Sequence, residues 1–138
     1  LAAEGAARPG AGAAGGVGYA AMTVLGAEPR PGVDLVLELV GLDALVAGAD
    51  LVITGEGSLD SQSLGGKTPV GVSRLAAAHG VPVVAVCGRC ALRPEQLRTA
   101  GFEAGFALAD RDPRRCFTDT AAMLTEVGAE IAERFRVS

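Results

Sequence analysis

The stretch ADLVITGEGSLDSQSLGGKTPVGVSRLA, Ala49 to Ala76, decides how the chain folds. Asp50-Leu51-Val52-Ile53-Thr54 is a short apolar run that ends in Gly55-Glu56-Gly57. A run of this length, rich in β-branched residues and stopped by glycine, reads as a buried parallel strand. The polar, glycine-rich residues Gly55 to Thr68 then predict an unusually long βα loop at the carboxyl end of that strand. Thr68 as N-cap with Pro69 at the first helical position opens a helix. His79-Gly80, with Pro82 beyond, closes it.

The alternation continues downstream. Val83 to Cys87 predicts a second strand, Pro94 to Ala100 a short helix, and Ala104 to Leu108 a third strand. Phe117, Ala121, Leu124, Gly128, Ile131 and Phe135 step along one face of a long amphipathic terminal helix. From residue 50 the order is β-α-β-α-β-α, which implies a parallel sheet with right-handed crossovers. The expected fold is therefore α/β, a three-layer Rossmann-like parallel sheet with flanking helices. Ligands of such sheets sit beyond the carboxyl ends of the strands, where the Gly55–Thr68 loop falls.

Upstream, residues 1–11 read as a flexible lead-in and Gly12 to Leu25 as a small-residue helix. Gly15, Gly16 and Gly18 each cost roughly 1 kcal/mol against alanine in a helix interior, so the backbone there is expected to lie close to something. Pro31-Gly32 opens a second helix, with Val33, Val36, Leu37 and Val40 as its apolar stripe. A short helix follows around Asp43 to Gly48. Two parts are expected: a glycine-rich helical segment over 1–48 and a Rossmann-like segment over 49–138. The chain opens on Leu1 with no strand ahead of its glycine-rich region, so we read it as cut from a longer polypeptide.

The 138 residues are 49% hydrophobic and 20% charged, enough apolar character for a folded domain with a core. Aromatics make up only 4%, and the abundance of Ala and Gly suits close helix-on-sheet packing. A net charge of −4 argues against nucleic acid as a partner, which needs a basic face. No apolar run approaches the ~18 residues of a membrane span. Three cysteines without a disulfide framework point to a reducing compartment, hence a cytoplasmic location.

Several motifs invite a chemical reading. Gly10-Ala11-Gly12-Ala13-Ala14-Gly15 matches G-x-G-x-x-G, but a dinucleotide fingerprint needs a strand directly before it, and residues 1–9 supply none. What remains is either a glycine-rich helix entrance, whose Gly10, Gly12, Gly15 and Gly16 amides can meet an anion, or a tightly packed Ala/Gly helix. Gly66-Lys67-Thr68 resembles the end of a P-loop, yet the first glycine would fall at Ser61, so the match fails. Lys67 can still steady a phosphate as a point charge, or be an ordinary solvated lysine.

Glu56, Asp60 and Lys67 share one loop with the hydroxyls of Ser58 and Ser61, and with Gln62 and Ser63. Two carboxylates and hydroxyls suit Mg²⁺ held partly through water, and either carboxylate can accept a proton from an attacking hydroxyl. The alternative is plain turn chemistry. Cys87-Gly88-Arg89-Cys90 is C-x-x-C, but no helix starts at Cys87 and too few further ligands exist for zinc. His79 reads as a helix cap, and Arg111, Arg114 and Arg115 as a solvated turn around Asp112-Pro113.

Three stretches together resemble the type I (bacterial) glycerate kinase family: PGAGAAGGVGYA (Pro9–Ala20), RPGVDLVLELVGLD (Arg30–Asp43) and the Ala49–Ala76 stretch. The likeness covers almost the whole chain and weakens after Cys87. It implies the C-terminal part of a two-domain kinase that transfers the γ-phosphate of ATP to D-glycerate with Mg²⁺, in a cleft between the domains. On this resemblance Glu56, Asp60 and Lys67 are the expected catalytic residues, with Glu56 and Asp60 also toward Mg²⁺. Gly10, Gly12, Gly15, Gly16, Ser58 and Ser61 are expected at substrate or phosphate.

The family also has an N-terminal strand with an Asp- and Lys-containing loop, and an Asn-Pro-Leu segment, neither present here. The Cys87–Cys90 segment departs from the glycine-containing loop of the family. Without the missing N-terminal portion the chain is expected to be inactive alone, and the exposed Ala/Val/Leu surface so left can drive association, such as a homodimer. The alternative is a non-catalytic α/β binding or regulatory module that kept the fold.

Overall fold

Residues 5–135 are described by a computed structural model of the chain, so part of the lead-in expected over 1–11 lies outside them. The chain divides into two compact units, the first ending at Leu35 and the second starting at Val36.

In the first unit the glycine-rich segment does not form the continuous helix expected from Gly12. A 3₁₀ turn spans Ala13–Gly16, and only then does α1 (Val17–Val24) run. Ala14, Gly15 and Gly16 all have positive φ, 50°, 67° and 102°. Consecutive left-handed residues end a right-handed helix, and glycine is the residue that adopts them without steric penalty. Helix α2 (Gly32–Leu39) crosses the division between the units, and of its expected stripe only Leu37 is buried.

The second unit holds α3 (Leu42–Val46), β1 (Val52–Leu59), α4 (Thr68–Ala78), β2 (Val83–Cys90), α5 (Pro94–Thr99) and β3 (Ala104–Ala107). Two short helices, α6 (Leu108–Arg111) and α7 (Arg115–Thr118), lead into α8 (Thr120–Arg134). The three strands are parallel in the order β1-β2-β3, with Val52 opposite Val83 and Val84 opposite Ala104. This is the predicted α/β arrangement, and both faces of the sheet are covered. Val83, Ala85 and Cys87 of β2 pack with Val46, Ala76, Leu97 and Phe102 on one face. Val84 packs with Phe106, Leu108, Met123, Val127 and Ile131 on the other. Alternate residues of one strand thus bury into two different cores, as a strand with helices on both faces requires.

The strand ends, the start of α4 and the terminal helix differ from expectation. Both β1 and β2 run further than their apolar runs, to Leu59 and Cys90, because Glu56, Ser58 and Leu59 find ladder partners in Cys87, Arg89 and Cys90. The predicted loop therefore shrinks, and Glu56 and Ser58 are strand residues. Gly55, which read as a loop former, is there for closeness: a Cβ on it would lie 2.0 Å from the Val86 carbonyl oxygen. Helix α4 starts one residue early, with Lys67 rather than Thr68 as N-cap.

The terminal helix is the third difference. It starts at Thr120, and its buried row is Met123, Val127 and Ile131, while Phe117 is 87% exposed on the separate α7. Asp112 explains the break: its Oδ1 accepts the backbone N–H of Arg114 (2.8 Å) and Arg115 (2.9 Å), starting a new turn. Of the arginines expected as a solvated turn, Arg114 is exposed and the other two are committed to ion pairs. Arg111 meets Glu130, and Arg115 meets Asp119 (3.0 Å) and Glu126 (2.8 Å).

Candidate functional site

The site expected at the carboxyl end of β1 assembles from three pieces of backbone. Strand β1 carries Glu56 outward to Leu59, Asp60 turns the chain, a 3₁₀ turn spans Ser63–Gly65, and Lys67 caps α4. Asp60 makes the turn itself. Its Oδ1 accepts the backbone N–H of Gln62 at 2.9 Å and of Ser63 at 3.2 Å, an Asx turn. These two donors, Ser63 first, favour the charged form and hold the Asp60 carboxyl below its ordinary value, with help from nearby Lys67. Asp60 is thus ionised at neutral pH and aligned by its own loop.

Glu56 and Lys67 meet across that turn. Lys67 Nζ lies 4.0 Å from Glu56 Oε2 and 3.5 Å from Ser63 Oγ. The Glu56 side chain is 21% exposed and that of Lys67 44%, so the cation stays open to an incoming anion. Between them sits Ser63, fully buried, whose hydroxyl donates to Glu56 Oε1 and accepts the Asp60 backbone N–H at 3.2 Å. Sequence reading passed over Ser63 as one hydroxyl among several, since nothing in its spacing marks burial. Beside the loop, Leu64 and Val70 face Arg93, Gln96 and Thr99 across a pocket of about 480 Å³, room for part of a small molecule.

The other expected residues are placed differently. Ser58 lies in β1, opposite Arg89. Ser61 is exposed on the loop. Gly10, Gly12, Gly15 and Gly16 belong to the first compact unit and Glu56, Asp60 and Lys67 to the second. The Gly10 carbonyl accepts the N–H of Ala13 at 3.1 Å.

Among the described residues no group of three or more His, Cys, Asp or Glu side chains could cage a metal. Two carboxylates with a commitment each, Glu56 to Ser63 and Asp60 to its turn, still fit Mg²⁺. That ion keeps several waters and takes one or two carboxylates along with substrate phosphates.

His79 caps α4, as its position predicts, and its Nε2 lies 2.7 Å from Asp43 Oδ1. Cys87 of the C-x-x-C motif shows the opposite of redox activation. Burial first, and then neighbouring Cys90, push the Cys87 thiol up to about 12. In the folded protein Cys87 is therefore expected to resist iodoacetamide at pH 8 and to react only on unfolding. Rapid labelling of native Cys87, read by peptide mass spectrometry, would instead point to a thiol-redox role for Cys87 and Cys90.

The family model described as the glycerate kinase family matches residues 1–136. The glycerate kinase of Halalkalibacterium halodurans is 47% identical over 103 residues, covering 75% of this chain and 27% of that protein. The glycerate 2-kinase of Escherichia coli K12 is 48% identical over 80 residues, 58% of this chain and 21% of that protein. A crystal structure assigned as glycerate kinase 2 from Salmonella typhimurium LT2 superposes with a TM-score of 0.56 at 42% identity. It covers 71% of this chain and 24% of that one. The chain spans about a quarter of the length of these relatives. No helix among the described residues is long and apolar enough to cross a membrane. With the match running from residue 1 to 136 and the charged loop at the end of β1 in place, the chain belongs to the glycerate kinase family.

Proposed function

We propose that these residues form the C-terminal part of an ATP-dependent glycerate kinase that phosphorylates D-glycerate to a phosphoglycerate. The observation that carries the reading is the convergence of Glu56, Asp60 and Lys67 at the carboxyl end of a parallel strand. Phosphoryl transfer needs positioning and charge stabilisation rather than covalent chemistry, and this loop offers both signs of charge on a rigid base.

In this reading Lys67 holds a phosphate as a point charge, being open on one side and fixed at the start of α4. Glu56 and Asp60 contact metal or substrate, and either can take the proton of the attacking glycerate hydroxyl. When bound, Mg²⁺ would neutralise charge on the transferring phosphate. Ser58, Ser61 and the Gly10, Gly12, Gly15 and Gly16 amides are further candidates toward substrate or phosphate, the glycines because they expose backbone at the start of α1.

Residues 1–48 belong to or link from a second domain, and residues 49–138 form the Rossmann-like part. The linking character falls on α2 and α3, since Val46 already packs in the sheet's core. The enzyme is cytoplasmic. This quarter of the kinase is inactive alone, because one wall of a cleft cannot position both substrates. Val36 and Leu39 on α2, Val40 just after it and Leu45 on α3 are exposed, an apolar surface suited to the remaining polypeptide or to a homodimer.

A coupled ATPase assay with D-glycerate and Mg²⁺ tests the proposal on the 138-residue chain and on a full-length kinase that contains it. Glycerate-dependent turnover is expected in the full-length protein and none in the chain. Turnover in the chain would mean that it holds a complete site. No turnover in either would favour a binding or regulatory module.

A further inference from the structure

We propose that Ser63 is a positioning residue for phosphoryl transfer, its buried hydroxyl orienting the Glu56 carboxylate toward the reaction. The inference rests on the kinase reading above. Ser63 is fully buried and touches each of the three charged site residues. Its hydroxyl donates to Glu56 Oε1 and accepts from the Asp60 N–H at 3.2 Å and from Lys67 Nζ at 3.5 Å. Its backbone N–H donates to Asp60 Oδ1 at 3.2 Å, and its carbonyl accepts the Lys67 N–H at 3.3 Å.

A hydroxyl has one proton to donate, and of its acceptors the Glu56 carboxylate is the nearest, with the Ser58 carbonyl at 3.3 Å and Asp60 Oδ1 at 3.4 Å further off. A carboxylate on a strand rotates about its terminal torsions unless something holds it, since those torsions have broad minima. The Ser63 O–H is that hold. The hydroxyl fixes Oε1 and leaves Oε2 facing Lys67, so one charged pair is presented in one orientation.

Ser73 is the internal comparison. Among the described residues it is the other fully buried serine, and its hydroxyl donates to the Ala100 carbonyl at 2.8 Å, tying α4 to the end of α5. That bond joins a side chain of α4 to a backbone carbonyl and touches no site residue. Both serines are buried and bonded, and of the two only Ser63 bonds charged side chains.

The test is a double-mutant cycle in the full-length kinase, with thermal unfolding measured for every variant. Ser63→Ala should lower kcat roughly 10- to 100-fold, the loss seen when a reacting group is misplaced by about 1 Å. KM for both substrates should stay within about twofold, as for an interaction made in the transition state. Ser73→Ala should lower Tm and leave kcat unchanged. In a Glu56→Ala background the Ser63→Ala change should add less than about twofold, because a residue acting through Glu56 has nothing left to hold.

If the two losses multiply instead, Ser63 acts structurally and the inference fails while the kinase reading stands. A near-normal kcat for Glu56→Ala would sink the site assignment itself, and this inference with it. Should Ser63→Ala not fold, the isosteric pair Ser63→Thr and Ser63→Val decides. Activity with threonine and not with valine supports the role of the hydroxyl, and equal activity overturns it.

Discussion

Replacing Lys67 with alanine in the full-length kinase is expected to lower kcat/KM roughly 100-fold or more, the loss typical of a positioned charge at a reacting phosphate. The side chain is 44% exposed and its nearest carboxylate contact is 4.0 Å, so stability should change little. Asp60→Ala should cause a loss of similar size, yet it would also remove the acceptor of two backbone N–H bonds. Asp60→Asn separates the two effects. Asparagine keeps an oxygen for Gln62 and Ser63 but carries no charge. Activity near wild type in Asp60→Asn would make Asp60 a turn former only. Steady-state kinetics by coupled assay decide, and near wild-type values for both Lys67→Ala and Asp60→Ala would dismiss the site.

The largest effect on stability is expected at Phe102. It is 1% exposed and lies in the core beneath α4 and α5, with Leu97, Val83 and Ala76 in the same cluster. Its backbone is fixed as well, the N–H donating to the Leu97 carbonyl at 3.0 Å. Phe102→Ala removes the largest fully buried side chain and leaves a cavity that a sheet and two helices cannot close. The expected loss is about 3–5 kcal/mol. Domains are typically stable by only about 5–15 kcal/mol, so the variant should be partly unfolded. Urea unfolding gives the value, with a lower midpoint at unchanged slope. A loss below about 1 kcal/mol would show that Phe102 does not anchor this core.

The charged loop was legible because its residue types carry their chemistry with them. Glu56, Asp60 and Lys67 within twelve residues after an apolar run announce a site at a strand end, whatever the exact boundary. What each does there was not legible. Spacing left Asp60 between a carboxylate for metal or proton and a turn former, and in the fold two backbone N–H groups engage one of its oxygens. Spacing also gave Ser63 no more weight than Ser58 or Ser61. Burial selects among the three, and burial depends on where α4 and β1 bring the loop.

The α/β alternation, the parallel order of strands and the family were determined by the sequence alone. Apolar periodicity, proline and glycine punctuation, and a long specific stretch such as Ala49–Ala76 are local properties of the chain. The tertiary structure alone decided where β1 ends, which face of α8 is buried, and which hydroxyl holds Glu56. The strand ends where β2 stops offering partners, at Leu59 opposite Cys90. Helix α8 buries Met123, Val127 and Ile131 because Val84 and Phe106 lie beneath that row, while Phe117 and Leu124 of the more regular row meet water and only its end, Ile131 and Phe135, reaches the core. Each of these depends on contacts between residues distant in sequence, and such contacts exist only once the chain is packed.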